Sequence, residues 1–174
     1  MNDRNRSITL LASAIVAATS LAAAGAENGP SKIESNLRAA VAKVDITPPP
    51  GTKVVGHVRP VDGVRDPLHA VTLLLDDGAT KAAIVTLDLI QCGPDMAEQF
   101  RAAVNSATGT PTLNILVATS HNHSGPGWKE NPEWSRKVVN DVSDACGRAA
   151  KEMRPVTIGY GEDRIDFNIN RRQM

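Results

Sequence analysis

The sequence predicts an α/β domain built on a mixed, partly parallel sheet with flanking helices, and three observations carry that prediction. Aromatic residues make up only 3% of the chain, so the core must be filled by Ala, Val, Leu and Ile, which suits helices packed on a sheet. Short apolar runs bounded by turn residues alternate with longer segments of helical periodicity. At least one strand, helix, strand succession calls for a parallel crossover.

In chain order, residues 39–44 form a strand, stopped by Thr47-Pro48-Pro49-Pro50-Gly51, because proline removes ladder donors and restricts the residue before it. A Gly- and Pro-rich loop follows to Pro67. Residues 71–75 and 82–87 flank the turn signal Asp76-Asp77-Gly78 and read as a β-hairpin. Both runs are continuously apolar, which predicts strands covered on both faces. A helix over 94–107 places Met96, Phe100, Ala103, Val104 and Ala107 on one side. Beyond the breaker Gly109-Thr110-Pro111, residues 113–118 form the next strand. A second helix runs over 132–153, capped by Asn131 with Pro132 at its first position, and turns Trp134, Val138, Val142, Ala145, Cys146 and Ala149 inward. Residues 156–160 read as a last strand.

Ahead of this domain, Arg4 and Arg6 precede an apolar run over 8–24 that ends in Ala24-Gly25-Ala26. That is the layout of a cleaved signal peptide over 1–26, with a polar leader over 27–38 and the folded domain over 39–174. A membrane anchor is the rival reading of the run, but it is rich in Ala, Ser and Thr and lacks a basic stop-transfer flank. No later stretch approaches the ~20 apolar residues of a membrane span, so the mature chain is expected to be secreted or periplasmic without a transmembrane segment. Lys plus Arg and Asp plus Glu balance at 19 each, which leaves no general attraction to nucleic acid or an anionic surface. The two cysteines, Cys92 and Cys146, could bond in an oxidising compartment. The position of Cys146 in a helical apolar stripe favours two buried thiols instead.

Ligands of open parallel sheets bind beyond the carboxyl ends of strands. Two polar groups fall at such ends, Asp88 after one strand and His121 with His123 after another. If those strands are neighbours, all three face one crevice. The spacing of the histidines lets both rings project to the same side of an extended segment and address one metal or one substrate. Asp88 could equally be a turn cap. Gly125-Pro126-Gly127 offers glycines that let a substrate approach the backbone.

The run Ala118-Thr119-Ser120-His121-Asn122-His123-Ser124-Gly125-Pro126-Gly127 is similar to the Ala-Thr-His-Thr-His-Ser-Gly-Pro-Gly signature of neutral/alkaline non-lysosomal ceramidases. Asp45-Ile46-Thr47-Pro48, Asp66-Pro67-Leu68, Leu87-Asp88-Leu89 and Asn168-Ile169-Asn170-Arg171 resemble other motifs of that family, in the expected order. The resemblance implies a zinc enzyme that cleaves the amide bond of ceramide-like lipids to sphingosine and a fatty acid. It implies His121 as a ligand of one Zn2+ ion, His123 as a catalytic group facing the substrate carbonyl, and Arg171 as a group holding the reacting centre. The family completes its zinc site with His, Glu and Tyr from far downstream, so the remaining ligands are expected beyond Met174 and residues 39–174 read as the incomplete N-terminal part of a larger catalytic domain, inactive alone.

Departures from the pattern are Asn122 for the usual Thr, whose side chain points away from the site, Arg65 where His is common, and His57 and His69 where aromatics are common. The two histidines read as a loop and a strand-edge residue. Two other functions stay open: a zinc hydrolase for another ester or amide of the envelope, and a noncatalytic exported domain that binds a ligand.

Overall fold

The computed structural model describes residues 36–55 and 63–166. The polar run at 1–6, the apolar run over 8–24, His57 and the segment from Asn168 to Arg171 lie outside them. The described residues fall into two compact units, one spanning Ser35–Thr157 and one that includes Ile158 onward. In the second, residues 158–166 carry no helix or strand and are exposed, with the Tyr160 hydroxyl donating to Glu162 Oε2 at 3.0 Å.

The first unit is the predicted α/β fold: strand β1 (Arg38–Asp45), the hairpin β2 (His69–Asp76) and β3 (Lys81–Leu87), helix α1 (Pro94–Thr108), β4 (Ile115–Thr119), α2 (Pro132–Ala149) and the short β5 (Arg154–Pro155). The sheet order is β4-β3-β2-β1-β5. Only β3 and β4 are parallel, joined through α1, and the other pairs are antiparallel. The hairpin turn is closed by side chains. Asp76 Oδ1 accepts the Gly78 amide and Asp77 Oδ1 accepts those of Ala79 and Thr80, while Gly78 takes the positive φ of 90° that glycine tolerates.

Two sequence expectations are corrected here. The strand expected over 156–160 is replaced by the pairing of Arg154–Pro155 with Arg38 and Ala39, which ends as the Val156 amide donates to the Leu37 carbonyl at 3.0 Å. Pro155 is tolerated because it sits on an edge strand. The helix expected to reach residue 153 ends at Ala149 and tightens into a 3-10 turn, Ala150–Glu152.

A third correction concerns the sheet faces. β2 and β3 alternate in burial rather than being covered on both sides, because both helices lie on one face. There Ala42, Leu74, Val85, Leu87 and Ile115 pack with Met96, Phe100 and Val104 of α1 and Val138, Val142 and Cys146 of α2. The opposite face carries the row Val41, Leu73, Ile84 and Leu116, aligned across four strands, and Val41 and Leu116 are 61% and 56% exposed. Continuous apolar sequence therefore marks one covered face and one apolar uncovered face.

Among the described residues, Thr72 is the one on the covered face with a hydroxyl that lacks a conventional hydrogen-bond partner. Its neighbour is the Cys146 thiol, a weak partner. Burial pushes the Cys146 thiol pKa up, and the Thr72 contact offsets that only in part. Both cysteines are free. Thr72→Val keeps the shape and removes the poorly matched polar atom, and it is expected to stabilise the fold by about 1 kcal/mol. A urea unfolding curve decides it: a lower midpoint for the variant means that the hydroxyl has a stronger partner than the thiol.

Candidate functional site

The site lies where β3 and β4 end side by side. The parallel ladder pairs Leu87 with Thr119, so the residues that follow, Asp88 and Ser120, emerge at the same edge. The strands are neighbours and Asp88 meets the histidine segment, but the three side chains do not face one crevice as expected, since Asp88 lines the cavity and neither imidazole does. Ser120 Oγ donates to Asp88 Oδ1 at 3.2 Å, and Asn122 Nδ2 donates to the Asp88 carbonyl at 3.4 Å. The other carboxylate oxygen accepts the His69 amide at 2.9 Å. Asp88 thus joins the start of β2 to the exit of β4.

His121 and His123 are exposed and their Nε2 atoms stand 3.2 Å apart. The rings meet edge to face, with centroids 4.7 Å apart and planes at 90°. The expectation that they share a side holds, but the segment is not extended. His121 has φ of 61°, in the left-handed region, uncommon for a residue other than glycine. Its Nδ1 lies 2.8 Å from the Ile90 carbonyl. A carbonyl only accepts, so Nδ1 bears a proton, and in the neutral ring Nε2 then presents a lone pair, the arrangement that fixes the tautomer of metal-binding histidines. In that state the 3.2 Å contact runs from His123 Nε2–H to His121 Nε2.

The Asn122 side chain is held against the strand ends: its Nδ2 reaches the Asp88 carbonyl, and its Oδ1 accepts the Ser124 amide at 2.8 Å. Asn122, Ser124 and Asp88 line a cavity of about 620 Å³ whose other walls include Pro48, Pro49, Pro50, Val54, Val64 and Leu68. The imidazoles are not part of its lining. The loop therefore turns one side to the cavity and the other, with the histidines, to solvent.

The glycines of the loop do a different job from the one expected. A Cβ on Gly125 would come 3.3 Å from both the Asp88 carbonyl oxygen and a Leu89 methyl, and one on Gly127 would collide with the Glu130 carboxylate. At Gly125 the neighbour is fixed backbone, whereas at Gly127 it is a flexible, exposed side chain that can move aside. Glycine lets the loop lie close against the end of β3, where Pro126 bridges to Val54 and the Val55 amide donates to the Gly125 carbonyl at 3.1 Å.

Other motif residues build the surround. Asp45 Oδ1 accepts the Thr47 amide at 2.8 Å and Thr47 Oγ1 accepts the Leu68 amide at 2.9 Å. The hydroxyl and amide of Thr47 hold the Asp45 carboxyl below its ordinary pKa. This ties Asp45-Ile46-Thr47-Pro48 to the segment Asp66-Pro67-Leu68. Trp134 of α2 donates its indole N–H to the Ile46 carbonyl at 3.0 Å. Asn131 occupies the expected cap position without capping by its side chain; its amide instead donates to the Gly127 carbonyl at 2.8 Å. Trp128 lies between Phe100 and Trp134, with centroids 5.4 and 5.8 Å away and ring planes tilted by 45° and 74°. Trp128 and the tri-proline wall were invisible as site residues in the sequence, since neither carries reactive chemistry.

His69 sits opposite Asp45 at the ends of β1 and β2. Arg65 lines the cavity and pairs with Asp66 across 3.7 Å, both side chains largely in water. Among the described residues no group of three or more His, Cys, Asp or Glu could hold a metal ion, and no helix is long and apolar enough to cross a membrane.

No protein-family model matches the chain, and no curated protein matches it in sequence. Solved structures similar to it in fold include two ceramidases. One is the neutral ceramidase from Pseudomonas aeruginosa, with a TM-score of 0.50 and 20% identity over 71% of this chain and 23% of that one. The other is described as a ceramidase complexed with C2, with a TM-score of 0.50 and 20% identity over 70% of this chain and 22% of that one. The chain spans less than a quarter of the length of either. At this identity the likeness is one of fold.

Proposed function

We propose that this chain forms the N-terminal part of the catalytic domain of an exported zinc amidohydrolase of the neutral ceramidase type, which hydrolyses the amide bond of a ceramide-like lipid. The observation that carries the reading is the histidine pair, with His121 Nδ1 held by the Ile90 carbonyl and its Nε2 lone pair 3.2 Å from His123 Nε2. It lies beyond the ends of two parallel strands in a fold similar to a ceramidase fragment.

The residues present fit part of a zinc site. Tetrahedral zinc takes imidazole nitrogens as ligands, and a His121 ring with Nδ1 bonded to a carbonyl has the tautomer and orientation such a ligand needs. A protein zinc site needs at least three ligands, so the remaining donors belong outside the described residues. When bound, zinc supplies Lewis acidity toward water and toward a carbonyl oxygen.

The chain's own residues take the other tasks. His121 ligates. His123 donates its Nε2–H to the carbonyl oxygen of the substrate, offsetting negative charge as it develops there. Arg171 holds the reacting centre with a fixed positive charge. Residues 1–26 act as the export signal, and the leader that follows ends ahead of Arg38, the first residue of β1.

The test is amide hydrolysis of a short-chain fluorescent ceramide by the full-length gene product, with and without a zinc chelator. Turnover should vanish with the chelator and return with added zinc. Hydrolysis indifferent to the chelator would sink the zinc reading, and a zinc-loaded protein that cleaves esters but not the ceramide amide would sink the substrate.

A further inference from the structure

We infer that Asp88 is the positioning residue for His121, acting as an uncharged-equivalent hydrogen-bond bracket and not as an acid, base or ligand. The inference rests on the proposed role of His121 for its consequence in zinc binding, but its geometric part stands independently.

His121 is held at a φ of 61°, a conformation a residue with a Cβ keeps only when its surroundings enforce it. The enforcement comes from residues 87–90, whose four carbonyls are all engaged by the segment 120–122. Leu87 accepts the Ser120 amide at 3.0 Å, Asp88 accepts Asn122 Nδ2, Leu89 accepts the Asn122 amide at 3.1 Å, and Ile90 meets His121 Nδ1. Both neighbours of His121 are therefore fastened to one short segment, and the ring is the third attachment.

The Asp88 side chain locks that segment in place. Its Oδ2 accepts the His69 amide at 2.9 Å and its Oδ1 accepts the Ser120 hydroxyl at 3.2 Å, while its own amide donates to the His69 carbonyl at 3.0 Å. One residue so connects β2, β3 and the loop. Both carboxylate oxygens are engaged by protein donors, which argues against a role in moving protons or binding metal. A side-chain amide could satisfy the same partners. Its oxygen would accept from His69 N–H, and its NH₂ would donate to Ser120 Oγ, because a hydroxyl can reverse its role.

Three variants separate the roles. Asp88→Ala should remove the bracket, Asp88→Asn should rescue it, and Ser120→Ala should remove one arm. The first readout is the ring 15N spectrum of His121 in the chain itself, where the Nδ1–H tautomer gives two well-separated nitrogen shifts. Asp88→Ala should average them, and Asp88→Asn should retain them. The second is zinc affinity of the full-length protein, expected to fall 10- to 100-fold in Asp88→Ala, the usual size of an outer-shell loss, and to recover in Asp88→Asn.

If Asp88→Asn fails as badly as Asp88→Ala, the carboxylate charge is essential and the bracket reading is overturned. It is also overturned if Asp88→Ala leaves the His121 nitrogen shifts unchanged. A wild-type full-length protein that binds no zinc, with the nitrogen shifts behaving as described, would instead overturn the proposed function and leave the positioning role standing. A loss of chemical-shift dispersion across the whole spectrum of Asp88→Ala would mark unfolding, and Ser120→Ala, which removes a single hydroxyl, then decides by the same shifts.

Discussion

Replacing His121 by Ala is expected to abolish both zinc content and amide hydrolysis in the full-length protein, whereas His123→Ala keeps the zinc and loses turnover by a factor on the order of 10²–10³, the cost of removing one oxyanion donor. The asymmetry follows from the hydrogen bonds. Nδ1 of His121 is bonded to the Ile90 carbonyl, so its Nε2 is set as an acceptor, while His123 Nε2 is the donor beside it. Elemental analysis of the purified variants and a ceramide assay check it together. Equal loss of metal from both variants would make the pair two ligands and remove the separate role assigned to His123.

Phe100→Ala is expected to destabilise the fold by about 3–5 kcal/mol, the range for truncating a buried aromatic. Phe100 is fully buried, on the face of α1 that meets the sheet, and its ring lies 5.4 Å from that of Trp128. Trp128 directly follows the loop glycines and meets Trp134, whose indole N–H holds the Ile46 carbonyl. The cavity left by Phe100 therefore sits beneath the site as well as within the core. Tryptophan fluorescence followed through urea unfolding should show an earlier transition together with altered native emission. A loss under about 1 kcal/mol would mean that the surrounding side chains collapse into the space, as happens where a site can relax.

Much of the fold was legible in the sequence because its signals are local. The spacing of Met96, Phe100 and Val104 marks the buried face of α1, and Asp76-Asp77-Gly78 marks the hairpin whose turn those two carboxylates close. Where local signals ran out, the reading slipped. Residues 156–160 have the composition of a strand, but strand formation needs a partner edge, and only the two residues before them lie beside β1. The apolar runs of β2 and β3 implied cover on both faces, yet nothing in a run of Val and Leu states on which side the helices will pack.

The candidate site divides in the same way. Local pattern is enough to say which groups stand at the carboxyl edge: Asp88 after β3 and the His121 to Gly127 segment after β4, since strand ends are set locally and a parallel crossover brings two such ends together. How each group is held there comes from contacts made by the folded chain. The tautomer of His121 depends on a carbonyl 31 residues away, and the room denied to a side chain at Gly125 depends on Asp88 and Leu89. These are contacts between segments distant in the chain, made where packing brings them within hydrogen-bond reach, and residue spacing carries no record of them.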